Sequence, residues 1–162
     1  EKFVDKSLEN FFNIELIKNI FPNAKFIHTF RNPLDSAISI YQSMLPDLSW
    51  THNIEDILLY MDHYHKVLEY FKSKYPEIIM DINLEEFTEK SEELTKKMFK
   101  FCGLTWNENI HNFYKRKDLY SKTLSFTQIR SKVLKYNNKK YQSYFNILND
   151  YKDNYQWLDL SK

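Results

Sequence analysis

Phe21-Pro22-Asn23-Ala24-Lys25-Phe26-Ile27-His28-Thr29-Phe30-Arg31-Asn32-Pro33-Leu34-Asp35 is the stretch from which the fold is read. It opens with turn chemistry, because proline disfavours helical geometry in the residue before it and asparagine tolerates turns. Lys25 to Phe30, rich in aromatic and β-branched side chains, then reads as a short strand. Arg31 to Asp35 ends that strand, and Ser36 to Met44 resumes helical spacing, with Ala37, Ile40, Tyr41 and Met44 on one face. Upstream, residues 8 to 20 place Leu8, Phe12, Leu16 and Ile20, with Ile17 beside them, on one helical face. The unit is helix, strand, helix, and Arg31 lies at the carboxyl end of the strand.

Further along, Pro46 to His52 reads as a loop and residues 53 to 74 as a long amphipathic helix that stops before Pro76. Ile78 to Ile82 reads as a second strand buried on both faces, as in a parallel sheet. Ser91 to Gly103 opens with acidic residues and closes with lysine and then glycine, matching the helix dipole and a left-handed cap. Asn107 to Tyr114 reads as a short helix, residues 118 to 137 as an irregular polar segment, and Lys139 to Tyr151 as a terminal helix. The alternation predicts an α/β fold of one domain, a short parallel sheet flanked by helices with a helix-rich C-terminal part.

Lys plus Arg total 23 against 22 Asp plus Glu, so no global basic field draws in nucleic acid and an anion site must be built locally. The lone Cys102 cannot form an intrachain disulfide and reads as a helix-end core residue. His28, His52, His63, His65 and His111 are scattered, which predicts no metal site. No apolar run approaches the roughly 20 residues needed to span a bilayer, so the expectation is a cytoplasmic protein without a membrane span. Gly103 is the only glycine. A loop that cradles phosphate with converging backbone N–H groups needs several, so none is encoded in these residues.

In open α/β sheets, ligands bind at the carboxyl ends of strands, where loops and helix N-termini converge. Arg31 and Ser39 sit there, with Ser39 about a turn and a half into the following helix. A guanidinium fork and a hydroxyl together suit a phosphate. By spacing alone the signal is weak, and the reading that Arg31 pairs with Asp35 at the helix start has the better claim.

The run from Asp5-Lys6 through Asn10-Phe11 to Phe21–Tyr41, with Phe101-Cys102-Gly103-Leu104-Thr105-Trp106 and Thr123-Leu124-Ser125-Phe126-Thr127-Gln128-Ile129-Arg130, resembles a known family. It is similar to sulfotransferases that use 3'-phosphoadenosine-5'-phosphosulfate (PAPS), in particular bacterial ones linked to tetratricopeptide repeats and tyrosylprotein sulfotransferases. The resemblance implies a partial P-loop-type three-layer sandwich, with 1–162 as a sulfotransferase domain incomplete at its N-terminus. It implies transfer of a sulfuryl group from PAPS to a hydroxyl, such as a protein tyrosine, or to an amine, leaving adenosine 3',5'-bisphosphate. Arg31 and Ser39 then hold the 3'-phosphate. Ser125, Thr127 and Gln128 fall in the segment that folds over the nucleotide, and Lys140 is a basic residue before Tyr141, where the family usually has Trp. Lys6 matches a lysine near the sulfuryl group.

Two departures accompany the resemblance. Asn83-Leu84-Glu85-Glu86-Phe87 puts Leu84 where the family commonly has a tyrosine near adenine. The family's first strand, its phosphosulfate loop and its catalytic base normally precede Asp5-Lys6. The expectation is therefore a chain that does not catalyse alone, with a tetratricopeptide-repeat region upstream in the full gene. The alternative is a non-catalytic nucleotide-binding or interaction domain derived from a sulfotransferase.

Overall fold

The computed structural model describes residues 2–116, 130–137 and 139–159. The fold is mixed α/β with a short two-stranded parallel sheet, and it divides into two compact units. The first comprises residues 1–26, 31–79 and 138–162; the second comprises residues 27–30 and 80–137.

In the first unit, a 3-10 turn over Asn10–Asn13 leads into α1, Ile14–Ile20. The sequence predicted one continuous helix from residue 8, with Leu8, Phe12, Leu16 and Ile20 on one apolar face, the face a helix ordinarily buries. All four are instead exposed, and Ile14 is the buried residue, at 2%. The cause is local: Asn13 leaves helical geometry, with φ −107° and ψ 11°, so the four-residue spacing loses its phase there.

Helix α2, Pro33–Ser43, starts where the sequence leads one to expect. Pro33 occupies the first turn, where its missing N–H costs nothing, and the Asn32 side chain accepts the Leu34 N–H at 2.8 Å. It ends at Met44, which adopts a left-handed φ of 39°. Helix α3, Ile54–Lys74, is capped by Asn53, whose side-chain oxygen accepts from the Glu55 N–H at 2.7 Å. Leu34, Ala37 and Ile38 of α2 and Ile57, Leu58 and Met61 of α3 form the core with Tyr141, Leu148 and Leu158. The C-terminal segment predicted as an ordinary helix is 3-10 over Gln142–Tyr151.

The loop between α2 and α3 turns its apolar residues inward. Trp50 stacks on Tyr60 with ring centroids 3.8 Å apart, and Thr51, fully buried, donates its hydroxyl to the Leu48 carbonyl at 2.7 Å. Burial pushes the Tyr60 phenol up to about 12, with the Glu9 charge adding to it. At the foot of α3, the Lys74 ammonium and the Tyr75 hydroxyl donate to the two oxygens of Glu15 in α1, at 2.7 and 2.8 Å.

Strands β1, Phe26–Phe30, and β2, Ile79–Asn83, pair in the sheet, and all but their first residues belong to the second unit. The expectation that the second strand is buried on both faces does not hold. Only Ile82 is buried, and Asp81 is exposed and meets His28 of β1 across the ladder at 2.7 Å. A charged residue in the strand gives one face to a polar cross-strand pair. Helix α4, Leu84–Glu89, follows at once, capped by Asn83, whose side chain accepts the Glu86 N–H at 2.9 Å.

Helix α5, Ser91–Phe101, ends as the glycine foretold. Gly103 takes φ 60°, its N–H bonds to the Lys100 carbonyl at 3.1 Å, and the Leu104 N–H reaches back to Phe99 at 2.8 Å. These two bonds satisfy carbonyls that the helix end leaves open. Cys102 is a half-buried thiol beside that cap. A 3-10 segment, Glu108–Lys115, completes the described helical part of this unit.

No described helix is long and apolar enough to cross a membrane.

Candidate functional site

Arg31 comes immediately after β1 and one residue before the cap of α2, so strand end and helix start fix its backbone. Its guanidinium is tethered by its own neighbourhood. Nε donates to the Ser36 hydroxyl at 3.3 Å, and Nη2 reaches the Asp35 carbonyl at 3.5 Å. Arginine carries five N–H donors, so both hydrogens on Nη1 and one on Nη2 are left over by these two bonds. The contact with Asp35 thus includes its backbone oxygen, and it leaves donors available to an anion.

Ser39 lies on α2 two turns further along. Its carbonyl accepts the Ser43 hydroxyl at 2.7 Å, while its own hydroxyl receives the Tyr141 hydroxyl at 3.2 Å. Tyr141 is 6% exposed and packs in the core of the first unit. Its ring face carries two cations: the Lys140 ammonium 4.8 Å from the centroid and the Arg31 guanidinium carbon 5.8 Å away. Such contacts contribute roughly 0.5–1 kcal/mol each at partly exposed sites. Burial alone pushes the Tyr141 phenol up. Its hydrogen bonds to Lys140 and Ser39 and the charges of Lys140 and Arg31 more than offset that, and the net direction is downward.

The residues read from the sequence divide into three groups. Arg31, Ser39 and Lys140 come together around Tyr141 within one unit. Lys6 is exposed in the segment before the first 3-10 turn and makes no recorded contact with that group. Ser125, Thr127 and Gln128 lie outside the described residues. The residue that sequence reasoning underused is Tyr141. It was noted as a neighbour of Lys140, but nothing in local spacing signals a contact spanning 102 positions. Leu84, at the position that raised doubt about adenine, is the first residue of α4 and half-buried. Among the described residues, no three His, Cys, Asp or Glu side chains group as metal ligands would.

The arrangement offers cationic and hydroxyl donors from three separate stretches of chain, held around a buried ring. That is chemistry for binding a compact dianion. Comparison with known proteins shows the family. The chain is 33% identical over 154 residues to an uncharacterized protein of Aquifex aeolicus (strain VF5), a match covering 88% of this chain and 19% of that protein. It therefore spans about a fifth of the relative's length. The description "Sulfotransferase family" matches residues 1–108, a span that holds β1, α2, Arg31 and Ser39, and the chain belongs to that family.

Proposed function

We propose that this chain carries the 3'-phosphate-binding part of a sulfotransferase that moves a sulfuryl group from PAPS to a hydroxyl or amine acceptor, such as a tyrosine. The observation that carries the reading is the meeting of Arg31, Ser39 and Lys140 around Tyr141. The 3'-phosphate of PAPS is remote from the reacting sulfur. Holding it raises rate by fixing geometry rather than by touching the bond that breaks.

In the transfer, a bond forms between the acceptor atom and sulfur, and the sulfur–oxygen bond to the 5'-phosphate breaks. The acceptor proton leaves to a base, and adenosine 3',5'-bisphosphate departs. Lys6 is assigned the cationic role beside the bridging oxygen, where charge develops. Ser125, Thr127 and Gln128 are assigned to the segment that covers the nucleotide. These 162 residues contain a single glycine, so the glycine-rich cradle for the 5'-phosphosulfate belongs to other parts of a P-loop-type sandwich. A tetratricopeptide-repeat region, where present, is assigned upstream of this chain on the family resemblance alone.

The test is calorimetry on the full-length protein. Arg31→Ala is expected to weaken binding of adenosine 3',5'-bisphosphate by at least about tenfold, or about 1.5 kcal/mol, as for a charged hydrogen bond. An unchanged affinity would reject the assignment.

A further inference from the structure

The contact between Tyr141 and Ser39 raises a question of proton count. Two hydroxyl groups 3.2 Å apart carry two protons, and the bond between them uses one. In the orientation described, Tyr141 donates and Ser39 accepts, which leaves the Ser39 hydrogen free to point elsewhere. The groups around the pair are Lys140 and Arg31, both donors without acceptor capacity, lying at the face of the same ring. Neither cation can take the spare proton, so it is open to an acceptor outside the pair, a backbone carbonyl one turn back, as Ser43 uses, or an anion. Tyr141 itself is locked: it is 6% exposed and belongs to the core with Ala37 and Ile38, the residues just before Ser39 on α2. Its hydroxyl is thus placed by packing rather than by solvent.

We infer that Tyr141 is a positioning residue of the anion site, whose hydroxyl fixes the rotamer and proton direction of Ser39 while its ring face holds Arg31 and Lys140 over the same anion. This rests on the reading of Arg31 and Ser39 as a phosphate clamp and extends it to a residue that touches no ligand in that scheme. Serine in a helix has more than one accessible rotamer, and its hydroxyl hydrogen rotates freely when unbonded. Accepting a hydrogen bond from a buried phenol occupies one of the staggered positions around Oγ and so narrows that freedom. The hydroxyl hydrogen is confined to the remaining positions, directed away from Tyr141. A tyrosine is suited to this where phenylalanine is not, because the ring alone supplies the cation contacts and the packing but leaves Ser39 unoriented.

The experiment compares two ligands in the full-length protein, adenosine 3',5'-bisphosphate and adenosine 5'-monophosphate, which differ only in the 3'-phosphate. Wild type, Arg31→Ala, Tyr141→Phe, Ser39→Ala and the Tyr141→Phe/Ser39→Ala double variant are titrated calorimetrically. Tyr141→Phe is expected to lose about three- to tenfold in affinity for the bisphosphate, the worth of one ordinary hydrogen bond, and to bind the monophosphate as wild type does. The double variant is expected to bind no worse than Ser39→Ala, because both substitutions break one unit. A merely structural role would lower both ligands together and leave their ratio unmoved, and that result would overturn the inference. So would a Tyr141→Phe protein with wild-type preference for the bisphosphate beside an impaired Arg31→Ala, and in that case the phosphate clamp itself stands. A wild type with no preference between the ligands, or an unimpaired Arg31→Ala, rejects the clamp and this inference with it. Ser39→Ala removes the clamp hydroxyl itself, so where the phenylalanine variant lowers the thermal midpoint the double variant carries the comparison: a ligand ratio in it that falls below the ratio of Ser39→Ala overturns the inference.

Discussion

Ile38 and Ser39 are neighbours on α2 that face opposite demands. Ile38 is 1% exposed and locks the helix into the core of the first unit, whereas Ser39 is half-buried and its hydroxyl accepts a hydrogen bond from Tyr141. Removing the side chain of Ile38 leaves a cavity that its packed surroundings refill only in part. Ile38→Ala is expected to destabilise by about 2–5 kcal/mol in urea unfolding, and a loss well below that range would show that the helix is not held from this side. At this scale the sequence was informative in one direction. Arg31 was placed at a strand end and Ser39 within the following helix by pattern, but the family resemblance, and not the spacing, singled the pair out as a phosphate site. Tyr141 was not legible, because its place beside Ser39 is decided by the packing of a C-terminal segment onto α2, which no local pattern encodes. Lys140 was named from the resemblance alone, and its ammonium lies at the face of that ring.

Among the elements, caps and charges were read more faithfully than faces. Helix α3 came out within a residue of expectation because Asn53 caps it and Pro76 lies just beyond its end. Helix α1 was misread because a single asparagine, Asn13, breaks the helical phase and transfers burial from Leu16 to Ile14. β2 was misread because the apolar run Ile78-Ile79-Met80 outweighed Asp81, whose charge already announced a polar face. What ties α1 to the end of α3 is electrostatic. Hydrogen bonds from Lys74, and then from Tyr75, hold the Glu15 carboxyl below its ordinary range. A carboxyl whose folded value is lowered contributes stability above its unfolded value, and that contribution disappears as pH falls through the folded value. Glu15→Gln is thus expected to be less stable than wild type near neutral pH, with the gap closing as pH falls through the lowered folded value. Denaturant midpoints at neutral and acid pH check this, and a gap independent of pH would contradict it.

The whole molecule distributes its packing unevenly. The buried cluster around α2 and α3 lies in the first unit, whereas among the described residues of the second only Ile82 and Leu94 are buried apolar side chains. Amides of α5 are therefore expected to exchange with solvent deuterium faster than those of α2 and the middle of α3, because opening a segment with few buried contacts costs less. Equal protection in the two units would mean that the second draws stability from elsewhere. The scarcity of glycine has its own consequence at this scale. The chain reserves Gly103 for a helix end that needs φ 60°, and it makes the corresponding turn after α2 with Met44 at φ 39°. An unfolded chain so poor in glycine wanders through fewer backbone conformations than an average one, and so surrenders less entropy when it orders. A molecule with a thin second core is helped by having a restricted unfolded state to leave.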